Sequence, residues 1–324
     1  NKIKKFLSEV VPQDSISILQ EIAGYCLLKE YPIHKSVMLV GTGANGKSTF
    51  INLLKTFLGH QNCASIPLQQ LENNRFAASS LFGKLANMFA DLPARALKET
   101  SLFKMLTGED LIPAEKKFKD HFFFDNYAKM IFSANQIPRS PDDSDAFFRR
   151  WIIINFPNQF LESKADKHLI KKITTPEELS GFLNFAIEGL KRLLDNGEFS
   201  NSKAIQQVRE IYIRQSDSVG AFVMDFILVS PDCYVQKREL YTSYCDYCRD
   251  MSYPVVPENS FHKQLQAKIR VEDYRPILDK NGIKERVQCW RGIKVEINHD
   301  NIDKDDNVKV VNDVNGTSNL KQGT

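Results

Sequence analysis

The stretch Gly41-Thr42-Gly43-Ala44-Asn45-Gly46-Lys47-Ser48-Thr49 decides how the rest of the chain is read. Residues 41–48 fit the pattern G-x-x-x-x-G-K-[ST] at every fixed position. The flanks suit it: the apolar run Val37-Met-Leu-Val40 comes before, and Ser48 to Leu58 predicts an amphipathic helix ended by Gly59. Glycines here let backbone amides approach an anion with no Cβ in the way. Those amides, together with the helix N-terminus, offer partial positive charge to phosphate oxygens. Residues 41–49 are therefore expected to cradle a nucleotide, with Lys47 reaching the β and γ phosphates and Ser48 binding Mg²⁺. No N-K-x-D guanine-reading motif occurs, so ATP and Mg²⁺ are the expected ligands.

Outward from this loop, apolar runs at Leu85–Ala90, Lys129–Ala134 and Trp151–Phe156 alternate with helical periodicity. With residues 37–40 they predict four buried strands in an α/β layer with a mainly parallel sheet. Asp91 ends the second run, where it can hold Mg²⁺ or a water. Ala90 precedes it, so the two adjacent acids that many ATPases carry are not both present, and Glu99 is a weak candidate for polarising the attacking water. Asn135 follows the third run and can sense a γ-phosphate, orient a water or simply make the turn. Arg149 and Arg150 precede the fourth run. They read either as a surface pair or as the source of an arginine finger, which stabilises a transferring phosphoryl group from a neighbouring subunit.

Residues 1–35 read as an N-terminal helical segment, with Asp14 as a cap and Pro32 ending the pattern. The core is expected over 36–160, and helical periodicity returns over 161–215. Over 216–298 helices give way to two extended segments flanking Asn281-Gly282, a dipeptide that favours a tight hairpin turn. Helices followed by a hairpin suggest a winged-helix domain. Residues 299–324 have few large apolar side chains and read as a disordered tail.

The 324 residues carry 43 Lys and Arg against 40 Asp and Glu, a net charge of +3 that gives no bulk argument for nucleic acid. Any such contact must come from a local patch. No apolar run of membrane-spanning length and no signal peptide is found, so a cytoplasmic protein with no membrane partner is expected. Its six cysteines would then stay reduced. Cys245-Asp-Tyr-Cys248 can in principle hold zinc, but no second C-x-x-C follows, and packed thiols on a helix are the expectation. The chain opens on Asn1 rather than methionine and reads as part of something longer.

Taken in order, five stretches resemble superfamily 3 helicases, specifically the helicase part of poxvirus, phage and archaeal-plasmid primase–helicases. They are Gly41–Thr49, Lys84–Pro93, Phe103–Asp110, Ile131–Pro138 and Asp145–Trp151. The resemblance implies an AAA+-like ATPase core assembled as a hexameric ring, with ATP held between subunits. Lys47 and Ser48 then match the phosphate and Mg²⁺ residues, Asp91 the second motif and Asn135 the sensor. Arg149 or Arg150 falls where the family places its trans-acting finger, and spacing from Asn135 favours Arg150.

In the same family the segment between Gly108 and Asn135 forms a hairpin that projects into the ring's pore. Lys116, Lys117 and Lys119 would then track the phosphates of a single strand, with Lys119 at the tip and Phe118 or His121 beside sugar or base. Without that likeness the run reads as a solvated charge cluster. On the expected winged helix, Lys263 and Lys268 lie on a helix able to contact DNA. The function these pieces imply is an ATP-driven DNA helicase on single-stranded or forked DNA, fused to or associated with a primase or polymerase. The alternative is an ATP-gated origin-binding or regulatory protein that does not unwind processively.

Overall fold

The computed structural model describes residues 2–295 apart from 75, 143, 161–165, 167, 202, 204 and 281–282. The turn expected at Asn281-Gly282 and the tail expected over 299–324 lie outside the described residues. The chain begins with α1 (Lys2–Val10), α2 (Gln13–Tyr25), β1 (Ser36–Val40), α3 (Lys47–Leu58), β2 (Cys63–Ala64), α4 (Leu68–Asn73), β3 (Ala86–Phe89) and α5 (Ser101–Leu106). It continues through β4 (Leu111–Ala114), β5 (Phe122–Asp125), β6 (Lys129–Ala134), α6 (Asp145–Phe148), β7 (Trp151–Asn155), α7 (Leu169–Ile173), α8 (Pro176–Asn196) and α9 (Ile205–Ser216). Then come α10 (Ser218–Phe226), β8 (Ile227–Gln236), α11 (Lys237–Asp250), α12 (Glu258–Lys268), β9 (Glu272–Tyr274), β10 (Ile277–Lys280), β11 (Ile283–Arg286) and β12 (Cys289–Val295).

The central sheet has the order β2-β3-β6-β1-β7, with every pairing parallel. Parallel pairs need crossover connections whose helices cover both faces, so such strands are apolar throughout. β1 and β6 accordingly are buried at every residue. The four expected strands are joined by a fifth, β2, whose two residues pair with Ala86 and Asn87 at the sheet's edge. A strand that short has no period to read.

On one face of the sheet Phe6, Leu19, Phe50, Leu54 and Phe182 join α1, α2, α3 and α8 in one core. α2 and α8 approach so closely that a Cβ on Gly24 would meet Ala186 O at 2.2 Å. Within that seam the buried Glu21 accepts from Arg192 Nε at 2.6 Å and Ser200 N at 2.8 Å, the partners a carboxylate needs once it leaves water. α8 itself starts with Thr175 accepting from Glu178 N at 3.4 Å, and with Pro176 in the first turn, where a missing N–H is harmless. Leu71, Phe103, Ile112, Phe132 and Tyr212 fill the opposite face, where Phe103 stacks on Trp151 at 4.6 Å. Each such side chain contributes on the order of 2 kcal/mol by leaving water.

A third core, built on Phe222, Tyr244, Phe261 and Trp290, unites α10, α11 and α12 with the antiparallel sheet β8-β12-β9. β10 and β11 form an antiparallel pair beside it. α10 stops at Phe226, and Ile227 begins β8. Pro231 just beyond could not have continued a helix.

Candidate nucleotide site and nucleic-acid surfaces

The phosphate loop leaves the end of β1 and re-enters helix at Lys47. Gly46 has φ 89°, and a Cβ there would sit 2.6 Å from Val10 Cγ1, so α1 presses directly on the loop. Asn45 Nδ2 donates to Phe156 O at 3.0 Å, and Phe160 N donates to Ala44 O at 2.8 Å. These bonds fix the loop to the segment that follows β7. Lys47 is only 6% exposed, and its Nζ donates to Gly41 O at 2.7 Å, Asn45 Oδ1 at 2.8 Å and Asn135 Oδ1 at 3.2 Å. Burial pushes this lysine down to about 8, and the nearby Asp91 charge pulls it partly back up.

The neighbours of β1 in the sheet bring the other two candidates. β6 borders β1 and ends at Asn135, while β3 borders β6 and leads to Asp91. Asp91 takes φ 62°, a left-handed conformation that non-glycine residues adopt at some cost. It is held there by Ser133 on β6: Asp91 N donates to Ser133 Oγ at 3.1 Å, and Leu92 N donates to Ser133 O at 2.7 Å. Gly43, Ala44, Gly46, Lys47, Ser48, Thr49, Asp91 and Asn135 all line one cavity of about 780 Å³, a volume typical of small-molecule sites. Glu99 does not line it and instead lies near Glu72.

Two walls of this cavity were missed in the sequence. α1 supplies Lys2, Lys5, Phe6 and Val10, and α7 supplies Leu169, Ile170 and Lys172. The amphipathic spacing of Ile3, Phe6, Leu7 and Val10 announces a buried helix face, but not that its partner is the phosphate loop. The lining thus adds apolar side chains, Phe6, Val10, Phe160, Leu169 and Ile170, and charged ones, Lys2, Lys5, Glu9, Asp166 and Lys172, to the loop. Cationic groups suit charged phosphates, and apolar side chains suit a flat base. Among the described residues no group of three or more His, Cys, Asp or Glu side chains is placed to hold a metal ion. Mg²⁺ does not need one, since it binds through one or two protein oxygens plus substrate phosphates and waters. Ser48 and Asp91 on the same cavity meet that requirement. Cys248 is buried and Cys245 half-buried on α11, and burial raises the Cys248 thiol to about 11.

The two arginines before β7 separate. Arg150 is 8% exposed, with Nε donating to Thr107 Oγ1 at 3.0 Å and Nη1 to Ala146 O at 2.5 Å. Arg149 is exposed. The Arg150 guanidinium, preferred from spacing, is engaged within its own chain, and Arg149 is the one facing outward.

β4 and β5 form an antiparallel hairpin pairing Ala114 with Phe122 at its far end. Lys119 N donates to Lys116 O at 3.0 Å, so the turn carries Lys117 and Phe118 at its tip, one step earlier than the expected Lys119. Phe118 is 98% exposed with φ 61°, and Lys116, Lys117 and Lys119 around it are all exposed. In the third unit, Lys263 is exposed on α12. Lys268, also on α12, pairs with Asp217.

Comparison with known proteins adds five matches. Residues 39–150 match a family of unknown function (DUF5906), and residues 214–296 match the family described as Poxvirus D5 protein-like. The chain is 24% identical over 349 aligned positions to "Putative helicase L207/L206" of Acanthamoeba polyphaga mimivirus, covering 95% of this chain and 34% of that protein. It is 21% identical to "Putative helicase V13" of Sputnik virophage, covering 83% of this chain and 36% of that protein. The chain thus spans about a third of the length of these curated relatives. The A-form apo structure of the NrS-1 C-terminal region shares the fold, with a TM-score of 0.51 at 12% identity over 90% of this chain and 75% of that one. The likeness to poxvirus- and phage-type superfamily 3 helicases, first carried by the motifs, holds across these matches. No helix among the described residues is long and apolar enough to cross a membrane.

Proposed function

We propose that this chain is the ATP-hydrolysing motor module of a DNA helicase that works as a ring, most simply a hexamer, on single-stranded or forked DNA. One observation carries the reading: Lys47, Asp91 and Asn135, which follow three adjacent strands of the sheet, line one cavity together with apolar side chains of α1 and α7. In this reading residues 41–49 hold the phosphates of ATP, and the base lies against Phe6, Val10 and Phe160. Ser48 and Asp91 would hold Mg²⁺, which would supply positive charge to offset the negative charge of the phosphates. Lys47 gives up its bonds to Gly41, Asn45 and Asn135 in favour of phosphate oxygens, a stronger charge-assisted set. Asn135 is then free to orient the attacking water, and a neighbouring subunit's copy of Arg149 completes the charge stabilisation.

The hairpin of β4 and β5 is the DNA-tracking element of this proposal. Its three exposed lysines would lie along phosphates, and a ring would multiply them despite the near-neutral charge of a single chain. Phe118 adds a flat face on which bases stack regardless of sequence. We assign the core to 36–160, a helical subdomain to 161–215 and a winged helix to 216–298, the last supported by its separate hydrophobic core. The module would be fused to or associated with a primase or polymerase.

The test is ATP-dependent strand separation on duplexes with a 3′ or a 5′ single-stranded tail, with Lys47→Ala alongside. Unwinding that disappears in the variant supports the motor, and the favoured tail sets its direction. The second reading, an ATP-gated origin-binding or regulatory protein, draws on the single acid at Asp91, which follows Ala90. Tight duplex binding with no unwinding on either tail would favour it.

A further inference from the structure

Directly after Asn135 the chain is bonded to the junction of α9 and α10. Gln136 Nε2 donates to the buried Ser216's carbonyl at 3.1 Å, and Arg139 Nε reaches the same oxygen at 3.5 Å. Arg139 Nη2 lies 3.1 Å from Asp217 Oδ1 and donates to Gln264 Oε1 on α12 at 3.2 Å. Asp217 accepts from Gly220 N at 3.0 Å as the cap of α10, and its other oxygen holds Lys268 of α12. Between these contacts Tyr212 OH donates to Pro138 O at 2.8 Å, a buried bond. The run Asn135–Arg139 therefore touches Lys47 at one end and both α10 and α12 at the other.

Its first residue has two alternative partners. Here Asn135 Oδ1 accepts from Lys47 Nζ. Phosphate oxygens compete for the same ammonium protons with the stronger charge-assisted bonds, so a loaded cavity draws the lysine away and leaves the asparagine to the ligand. We infer that Asn135–Arg139 transmits occupancy of the cavity to α10 and α12, with Arg139 as the positioning residue at the output end. This rests on the nucleotide reading given above. The third core, which meets the rest of the chain at the Ser216–Asp217 junction, is then an output of the motor rather than an appended unit. Coupling of this kind is reciprocal, so whatever α12 binds changes the nucleotide affinity by the same factor.

Amide hydrogen exchange on the whole chain tests this, with and without a non-hydrolysable ATP analogue and Mg²⁺. In the wild type the analogue is expected to slow exchange over 41–50, and also over 213–220 and 261–268 by about fivefold or more. In Arg139→Ala, and separately in Asp217→Asn, the first response stays and the second is lost. Asparagine caps a helix as well as aspartate does, so Asp217→Asn removes the ion pairs without uncapping α10. Arg139→Lys keeps the charge without the fork and restores the response in part. Slowing over 41–50 with none over 213–220 and 261–268 in the wild type overturns the coupling and leaves the nucleotide site standing. A response that survives in both Arg139→Ala and Asp217→Asn overturns the role of Arg139. No slowing over 41–50 removes the nucleotide reading itself, and the coupling with it.

Discussion

Arg150 Nε donates to Thr107 Oγ1 at 3.0 Å, which ties the start of β7 to the residue that ends α5, while the adjacent Arg149 stays in solvent. Two arginines that look equivalent in the sequence therefore have different consequences when removed. Arg149→Ala is expected to leave ATP binding and the melting temperature as in the wild type and to lower ATP turnover by at least about 10³-fold. Mixing it with Lys47→Ala should recover turnover, because each variant supplies what the other lacks. Arg150→Ala is expected to destabilise the chain by about 1–3 kcal/mol, since Thr107 and Ala146 lose their donor. Full turnover in Arg149→Ala, with turnover lost and melting unchanged in Arg150→Ala, would reverse the assignment.

Nucleotide affinity should carry a pH signature from Lys47. Its folded pKa is about 8 against the usual 10.5, so between those values the unfolded chain binds more protons than the folded one. The penalty for burying the charge is full below about pH 8 and is shed as pH rises toward 10.5. Phosphate binding has the opposite sign, because it requires the proton to be present on Lys47. Affinity is expected to be flat below pH 8 and to fall by up to about tenfold per pH unit above it. Calorimetric titration at several pH values measures this together with proton uptake, and an affinity unchanged up to pH 9.5 would sink the idea.

The hairpin offers two separable contributions to single-strand binding. Replacing Lys116, Lys117 or Lys119 with Ala should flatten the logarithmic salt dependence of affinity by about 0.7 for each phosphate left without its cation. Phe118→Ala should weaken binding by about 1–3 kcal/mol while leaving the salt slope where it was. Fluorescence anisotropy over a range of salt concentrations distinguishes these effects. A slope that changes with Phe118 and not with the lysines would contradict the division.

Stability has a specific dependence on Lys129. This buried ammonium donates to Leu28 O at 2.7 Å, Glu30 O at 2.6 Å and Tyr127 O at 2.9 Å, and lies 4.6 Å from the Tyr25 ring. It ties the segment after α2 to the start of β6. Lys129→Met removes the donor from three carbonyls at once, and a loss on the order of 3 kcal/mol is expected in urea unfolding. A midpoint within experimental error of the wild type would show that water satisfies those oxygens.

How much of this was legible depends on range. The phosphate loop, the strands before Asp91 and Asn135, and the helix after Lys47 follow from local periodicity and glycine placement, and the structure has them. The role of Ser133 in pinning Asp91, and of α1 in pressing on Gly46, arises from contacts between segments distant in sequence, which no local period encodes. The resemblance puts the hairpin tip at Lys119, one residue past Phe118, because likeness to a family does not say which side chain takes the positive φ. Lys268 reads as a free cation in the sequence because its partner, Asp217, lies at the start of another helix.

The wall that α1 and α7 contribute to the cavity separates two boundaries that are easily taken as one. The matched stretch over 39–150 contains every signature residue from Gly41 to Arg150, yet it starts after α1 and ends before α7. A fragment trimmed to those limits would lose the first residues of β1, all of β7 and, with Phe156, the carbonyl that holds Asn45. Val10 would no longer back Gly46, and Phe6, Phe160, Leu169 and Ile170 would be absent from the cavity wall. In this chain, the cavity that gathers the signature residues is built by segments on both sides of that stretch.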